Sequence, residues 1–198
     1  MRARQVQEAG CLTAPVAESA AYPVLRSPRF RFRPFAYSDI EQLSALANQH
    51  RIADSTVGIP HPYTTEFARM WIASHPALWV HHRALHWAAL EINNIDNRHI
   101  LGYVGLSKID IERKQAELRF WVGCGAQRKE YATEWCAAVL QFASASLDVT
   151  RVYALQNRST PARRSRIGRP WHAPGRACTQ ASTQRRLDRG HRVLGVHA

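Results

Sequence analysis

The chain has 198 residues, 45% of them hydrophobic, which suits one domain with a proper core. No apolar run approaches the ~20 residues of a membrane span, and none follows the charged start Met1-Arg2-Ala3-Arg4, so a spanning helix is excluded and a secretory signal is not expected. The net charge of +12 invites a nucleic-acid partner, but residues 158–198 carry nine of those charges, with ten arginines against the single acid Asp188, so the basicity belongs to a tail and not to a face of the body.

Residues 1–27 show no sustained periodicity and read as a loose leader. Phe30-Arg31-Phe32-Arg33-Pro34-Phe35 alternates and predicts the first strand. Ser38-Asp39-Ile40-Glu41 has the form of a capping box, with Ser38 as acceptor, ahead of a helix whose inward stripe is Ile40, Leu43, Leu46 and Ala47. Ile59-Pro60-His61-Pro62-Tyr63 must be a loop, because each proline removes a donor and biases its predecessor away from helix. Thr64 or Thr65 then caps a second helix through about Ser74, burying Phe67, Met70 and Trp71. His86–Ile92 and Ile100–Ile109 predict two strands joined by a turn-rich hairpin connection. Gly102 and Gly105 thin the second strand where a ligand or a backbone comes close.

The stretch Gln115 to Phe142 organises the rest. Ala116–Gly123 alternates aromatic and β-branched residues with polar ones, as a strand does. A short polar connection follows, Cys124 to Glu130, and then Tyr131, Trp135, Ala138 and Phe142 recur at helical spacing. A strand feeding a turn that opens a helix is a ready-made anion site, since the first-turn N–H groups and the positive dipole end both face the turn. Arg151–Leu155 gives one more short strand, and beyond Gln156 no helix or strand period is found.

Four cysteines (Cys11, Cys124, Cys136, Cys178) show neither Cys-x-x-Cys spacing nor a disulfide framework, which fits a reducing cytoplasm. His81-His82 with His86 lacks a paired Cys or carboxylate, so no metal is expected.

Gln127-Arg128-Lys129-Glu130-Tyr131-Ala132 resembles the pyrophosphate loop of the GNAT N-acetyltransferase superfamily, Gln/Arg-x-x-Gly-x-Gly/Ala, with Gln127 and Ala132 matching and Glu130 standing where the family has glycine. Ala116–Val122 with Tyr131-Ala132-Thr133-Glu134, and upstream Arg33-Pro34-Phe35, Asp39-Ile40 and Ile59–Thr64, are similar to the RimJ/RimL branch, which acetylates protein N-termini and small amines. The resemblance implies an α/β (α+β) fold, a mostly antiparallel twisted central sheet flanked by helices, spanning residues 28–156 with its C-terminal part incomplete. It implies acetyl-CoA as acyl donor, and a protein N-terminus or small amine as acceptor. The backbone of Trp121, Val122 and Gly123 would run beside the pantetheine arm. The amides of Gln127 to Ala132, through Glu130 and Tyr131, would cradle the pyrophosphate, with Arg128 or Lys129 adding a charged contact or else staying solvated. Glu117 is the best placed carboxylate, either as proton acceptor or as the partner of Arg119, and Ser107 and His61 or Tyr63 would line the acceptor side. Glu130 opposes a diphosphate by like charge.

The tail, 157–198, is rich in Arg, Pro, Ala and Gly, as GC-rich coding DNA is when read out of frame. Shifting one base within codons permitted for Arg164 to His172, or for Gln184 to His197, makes segments readable that resemble RimJ/RimL endings. The tail is therefore expected to be a frameshifted product, disordered or unrelated to the family fold, with a natural basic arm as the alternative, and it contains the region where relatives carry the acid that protonates the leaving thiolate. The rival reading is a non-catalytic binder using the arginines on RNA or ribosomes. Single-stranded recognition also wants aromatic stacking, and the tail offers only Trp171.

Overall fold

Alternation of apolar and polar side chains lays out the sheet strand by strand. The computed structural model describes residues 21–56, 58–93 and 98–157, together with the backbone of 172–173, 176–177, 181–182 and 191–197. In chain order the elements are β1 (Leu25–Arg26), β2 (Phe30–Pro34), α1 (Ile40–Ala47), α2 (His50–Ser55), α3 (Thr65–Val80), β3 (Leu85–Glu91), β4 (Gly102–Asp110), β5 (Gln115–Val122), α4 (Tyr131–Leu147) and β6 (Arg151–Asn157). Beyond them lie β7 (His172–Ala173), β8 (Arg176–Ala177), β9 (Ala181–Ser182) and β10 (His191–His197). The main sheet has the order β1-β2-β3-β4-β5-β6-β10-β9, and β7 pairs only with β8. Every neighbouring pair in the main sheet is antiparallel except β5 and β6, which run parallel with α4 as their crossover.

The period of two splits the side chains between two layers. Phe30 and Phe32 of β2, Leu85 and Trp87 of β3, Val104 and Leu106 of β4, and Ala116 and Leu118 of β5 pack on Trp135, Val139 and Ala143 of α4. The opposite residues, Ala88, Leu90, Tyr103 and Trp121, pack on Leu43 and Ala47 of α1 and on Ala68 and Ile72 of α3. The mixed, helix-flanked sheet matches the expected fold class.

Several local expectations change. Residues 21–27 belong to the fold and not to a leader: β1 pairs with β2, and Trp87 Nε1 donates to the Pro23 carbonyl at 2.7 Å. Residues 1–20 lie outside the described residues. Ser38 does not cap α1. It is exposed in a 3-10 turn, while the Asp39 carboxylate accepts the Ala36 N–H at 2.8 Å and both Arg33 terminal nitrogens at 2.7 and 2.8 Å. A carboxylate that can take a bidentate arginine outcompetes a hydroxyl there. Thr64 does cap α3, accepting the Phe67 N–H at 3.1 Å, but the helix runs on through the exposed Pro76 to Val80 because Trp79 packs against the core, and Met70 faces solvent.

The tail also differs in its backbone. No strand was expected after Gln156, yet β10 pairs along all of β6, from His191↔Asn157 to His197↔Arg151. The outer edge of β6 offers unpaired backbone groups, and the Val193 to Val196 stretch is β-prone enough to satisfy them once the edge exists. The expectations for the intervening tail residues fall outside the described residues.

Candidate active site

The site begins where two strands part. β5 and β6 pair through Gln115↔Arg151, Ala116↔Val152 and Glu117↔Tyr153, and the pairing stops there although β5 continues to Val122 and β6 to Asn157. Leu118 to Val122 thus have their β6-side edge unpaired, which opens a wedge toward the carboxyl end of β5. Backbone groups on such an edge seek partners, and an extended ligand arm can supply them. Ligands of α/β folds collect at this end of a parallel pair, where the next helix begins.

The turn at the mouth of the wedge is held from both sides. The Gly123 N–H donates to the Leu101 carbonyl at 2.8 Å, and a Cβ at Gly123 would crowd that oxygen at 3.0 Å and Leu46 Cδ2 at 3.1 Å. The Cys124 N–H donates to Gln49 Oε1 at 3.1 Å, and Gln127 Nε2 reaches back to the Val122 carbonyl at 3.0 Å. Gln127 is therefore a staple that shapes the turn. Arg128, Lys129 and Glu130 are exposed, Ala132 is half-buried, and Glu130 serves as N-cap residue of α4 without a side-chain cap bond. Arg128 and Glu130 both adopt left-handed backbone, at φ 68° and 62°. The position where the motif has glycine thus keeps the conformation that glycine favours, at a cost of about 1 kcal/mol for a residue with a Cβ.

Tyr131 turns away from the loop. Its hydroxyl donates to Glu91 Oε1 at 2.7 Å, its ring sits 4.7 Å from that of Phe30, and the Glu91 hydrogen bond raises its pKa. Glu134, one turn on, accepts from Ser27 Oγ at 2.6 Å and Arg29 Nε at 2.6 Å, tying the β1–β2 corner to the start of α4.

Glu117 stands at the point of parting, with Ser107 as its cross-strand partner on β4 and Tyr153 on β6. It is 1% exposed. Its Oε1 accepts from Arg119 Nε at 2.8 Å and its Oε2 lies 2.7 Å from Lys108 Nζ. Burial raises its pKa, but the two cations outweigh that and leave the carboxyl below its usual range. The partnership with Arg119 is thus realised, and Lys108 is a second partner that the sequence did not reveal. Ser107 is half-buried beside it. His61 is exposed with its ring 4.3 Å from His50, whereas Tyr63 is a core residue against Phe67, its phenol pushed up to about 12 by burial.

A buried aromatic cluster lies behind the pair on the same face. His86 Nδ1 is 2.9 Å from the Tyr103 hydroxyl, and the His75 ring lies tilted 4.5 Å from His86 and edge-on 4.3 Å from Trp71. Burial pushes His75 down to about 4 and His86 well below its usual range, so both are neutral at pH 7. The sequence reading missed this cluster, and its only signal was His75 falling one turn after Trp71. Gly105 fits it: a Cβ there would meet the Leu85 carbonyl at 2.5 Å and the Tyr103 hydroxyl at 2.8 Å. Gly102 likewise admits Trp135, so neighbouring protein atoms take up the space at both glycines. His81 and His82 are exposed at the end of α3, apart from His86, and among the described residues no three metal-ligating side chains cluster. No helix among them is long and apolar enough to cross a membrane.

Solved structures share this fold. RimJ of Mycobacterium smegmatis, in complex with a CoA-disulfide, is similar at a TM-score of 0.64 and 16% identity, over 89% of this chain and 86% of that one. The microcin C7 self-immunity acetyltransferase MccE, in complex with acetyl-CoA and AMP, gives 0.64 and 16% over 87% and 94%. A ribosomal-protein-S5-alanine acetyltransferase from Vibrio fischeri gives 0.64 and 14% over 87% and 95%. At such identities these likenesses establish the fold. No curated protein matches the chain by sequence. The family model of the acetyltransferase (GNAT) domain, however, matches residues 29–162, well over half the chain and all of the wedge and its turn. With both the fold and the sequence pattern in place, this chain belongs to the GNAT acetyltransferase family, and its chemistry is acyl transfer.

Proposed function

We propose that the chain is an acetyl-CoA-dependent N-acetyltransferase acting on a protein N-terminal amine or a small-molecule amine, in the manner of the RimJ/RimL branch, with activity impaired by its own sequence. The parting of β5 from β6 after Glu117↔Tyr153, with α4 opening at its mouth, carries this reading. The unpaired edge of β5 beside Trp121 and Val122 receives the pantetheine amide groups up to the turn at Gly123, whose own N–H is taken by the Leu101 carbonyl, and the amides from Gln127 to Ala132, with Arg128 and Lys129 beside them, receive the diphosphate. Such a site works mainly by holding the thioester carbonyl against the amine. The amine nitrogen attacks that carbonyl, the carbon–sulfur bond breaks, the thiolate leaves on coenzyme A, and the amine gives up a proton. Glu117 and Ser107 line the reacting end. Glu117 stays ionised through the neutral range and accepts a proton through water, as a weak base because of its two cations. His61 lies toward the acceptor side. Cytoplasm, with its acetyl-CoA and reduced thiols, is the compartment this reading implies.

Two features support impairment. The Glu130 carboxylate sits on the loop meant for phosphate: at about 4 Å and an effective dielectric of 20, one like-charge pair costs ~4 kcal/mol, roughly a thousandfold in affinity, and less if the side chain swings outward. The altered tail, which we read as a frameshifted product, replaces the region where relatives place their general acid. Calorimetric titration of acetyl-CoA against this chain and against Glu130→Gly tests the reading: the variant should bind at least tenfold more tightly. Absence of binding by either chain refutes the acetyltransferase reading, and equal affinities refute the impairment by Glu130.

A further inference from the structure

The geometry points to Arg119 as the residue that reads a carboxylate on the acceptor, so that the substrate is an amine that also bears an acidic group. The inference rests on the wedge being the acetyl-transfer site. Arg119 lies on β5 two residues past the last β5–β6 pair, on the same face as Glu117 and Trp121. Its Nε is fixed by the 2.8 Å hydrogen bond to Glu117 Oε1, which sets the plane of the guanidinium. Nη1 and Nη2 make no hydrogen bond among the described residues, and the side chain is 34% exposed. Gly58 stands beside the fork: a Cβ built there would lie 3.6 and 3.9 Å from Nη1 and Nη2, in ordinary contact, so glycine adds no side chain to the approach.

Charge favours the same conclusion. Glu117 already has Lys108 on its second oxygen at 2.7 Å, so two cations face one carboxylate and the wedge keeps a net positive charge. That surplus is not meant for the diphosphate, because Arg119 precedes the turn at Gly123 by four residues, about 13 Å along an extended strand. An anion at the exposed fork therefore comes from the acceptor. A planar pair of donors at fixed spacing suits a carboxylate held by two parallel hydrogen bonds, a geometry lysine cannot supply. That carboxylate belongs either to an acidic residue beside a peptide N-terminus or to the α-carboxylate of a small amino acid.

The test is calorimetric binding to the full chain saturated with coenzyme A, with four probes: peptides beginning Ser-Asp and Ser-Asn, free serine, and serine amide. The acidic member of at least one pair should bind tenfold or more tightly than its neutral counterpart. Tight Ser-Asp identifies a peptide acceptor, and tight free serine a small one. Arg119→Gln should abolish the preference while leaving coenzyme A affinity unchanged, and Arg119→Lys, which keeps the charge beside Glu117, should retain only part of it. If Arg119→Gln does not fold, the partial loss in Arg119→Lys carries the test. Equal binding within both pairs, no acceptor binding despite bound coenzyme A, or equal weakening of acidic and neutral probes in the variants would overturn the inference. Failure of the native chain to bind coenzyme A would instead remove the acetyl-transfer reading, and this inference with it.

Discussion

The two faces of the central sheet divide the labour. The face under α4 is apolar almost throughout: Phe30, Phe32, Trp87, Val104, Leu106 and Trp135 are all fully buried. The face under α1 and α3 buries Asp39, His75, His86 and Glu117 among its aromatic residues. Both faces are close-packed, yet the buried carboxylates and imidazoles lie on the second, while the Tyr131–Glu91 and Glu134–Arg29 contacts stand at the rim of the first. The core of one face supplies stability by apolar burial, and the other spends some stability to keep polar groups beside the wedge. The contrast follows from β5 itself, where Leu118 points to one layer while Glu117 and Arg119 point to the other.

The largest expected effect lies on the apolar face. Trp135→Ala removes a fully buried ring that meets Phe30 edge-on at 5.6 Å, and should cost about 4 kcal/mol in urea unfolding. Its stability-versus-pH curve should be displaced downward without changing shape, and a change of shape would blur the division between the faces. On the polar face, His75 has its folded-state pKa depressed to about 4 from an ordinary 6.5. The unfolded chain therefore takes up its proton first, so stability is full above about pH 6.5 and is lost as pH falls toward 4, by about 3 kcal/mol from this group alone. His75→Phe should flatten that limb of the curve, and an unchanged slope would show that His75 is not its source.

Next comes Glu117→Gln, which leaves Lys108 and Arg119 facing a neutral amide. Because both cations are partly exposed, the loss should be about 2 kcal/mol, below that of a fully buried pair. The smallest effect sits at the turn. Arg128→Gly relieves the left-handed backbone at φ 68° and should stabilise the fold by about 0.5 kcal/mol once the extra freedom of glycine in the unfolded chain is counted. A destabilised variant would mean that the left-handed backbone there costs less than glycine's freedom.

Much of this was legible beforehand because it is written in local periods. The alternation in β2 and β5 and the stripe Tyr131, Trp135, Val139 fixed which residues face which layer, and Glu130 could be marked as out of place from its position in the loop. Other features depend on partners far away in the chain. Lys108 reaches Glu117 because β4 lies beside β5, Gln49 reaches Cys124 because α1 and α2 cross the end of the sheet, and His75 meets His86 through the packing of α3 on β3. No local pattern announces a contact of that kind. The cap expected from Ser38 failed for the same reason, since Arg33 on the neighbouring strand recruits Asp39 instead.

By itself the sequence determined the order and type of the elements from Phe30 to Leu155 apart from α2, the turn after Val122 and the family to which they point. Periodicity and turn chemistry act between residues a few positions apart, and such effects survive being read along a line. Only the tertiary structure decided that β5 and β6 separate after Glu117, that β10 closes the outer edge of β6, and that the Arg119 fork keeps two nitrogens without a hydrogen bond among the described residues. These depend on which backbone edges and charges remain unpaired once distant segments have docked, and that inventory exists only in the folded chain.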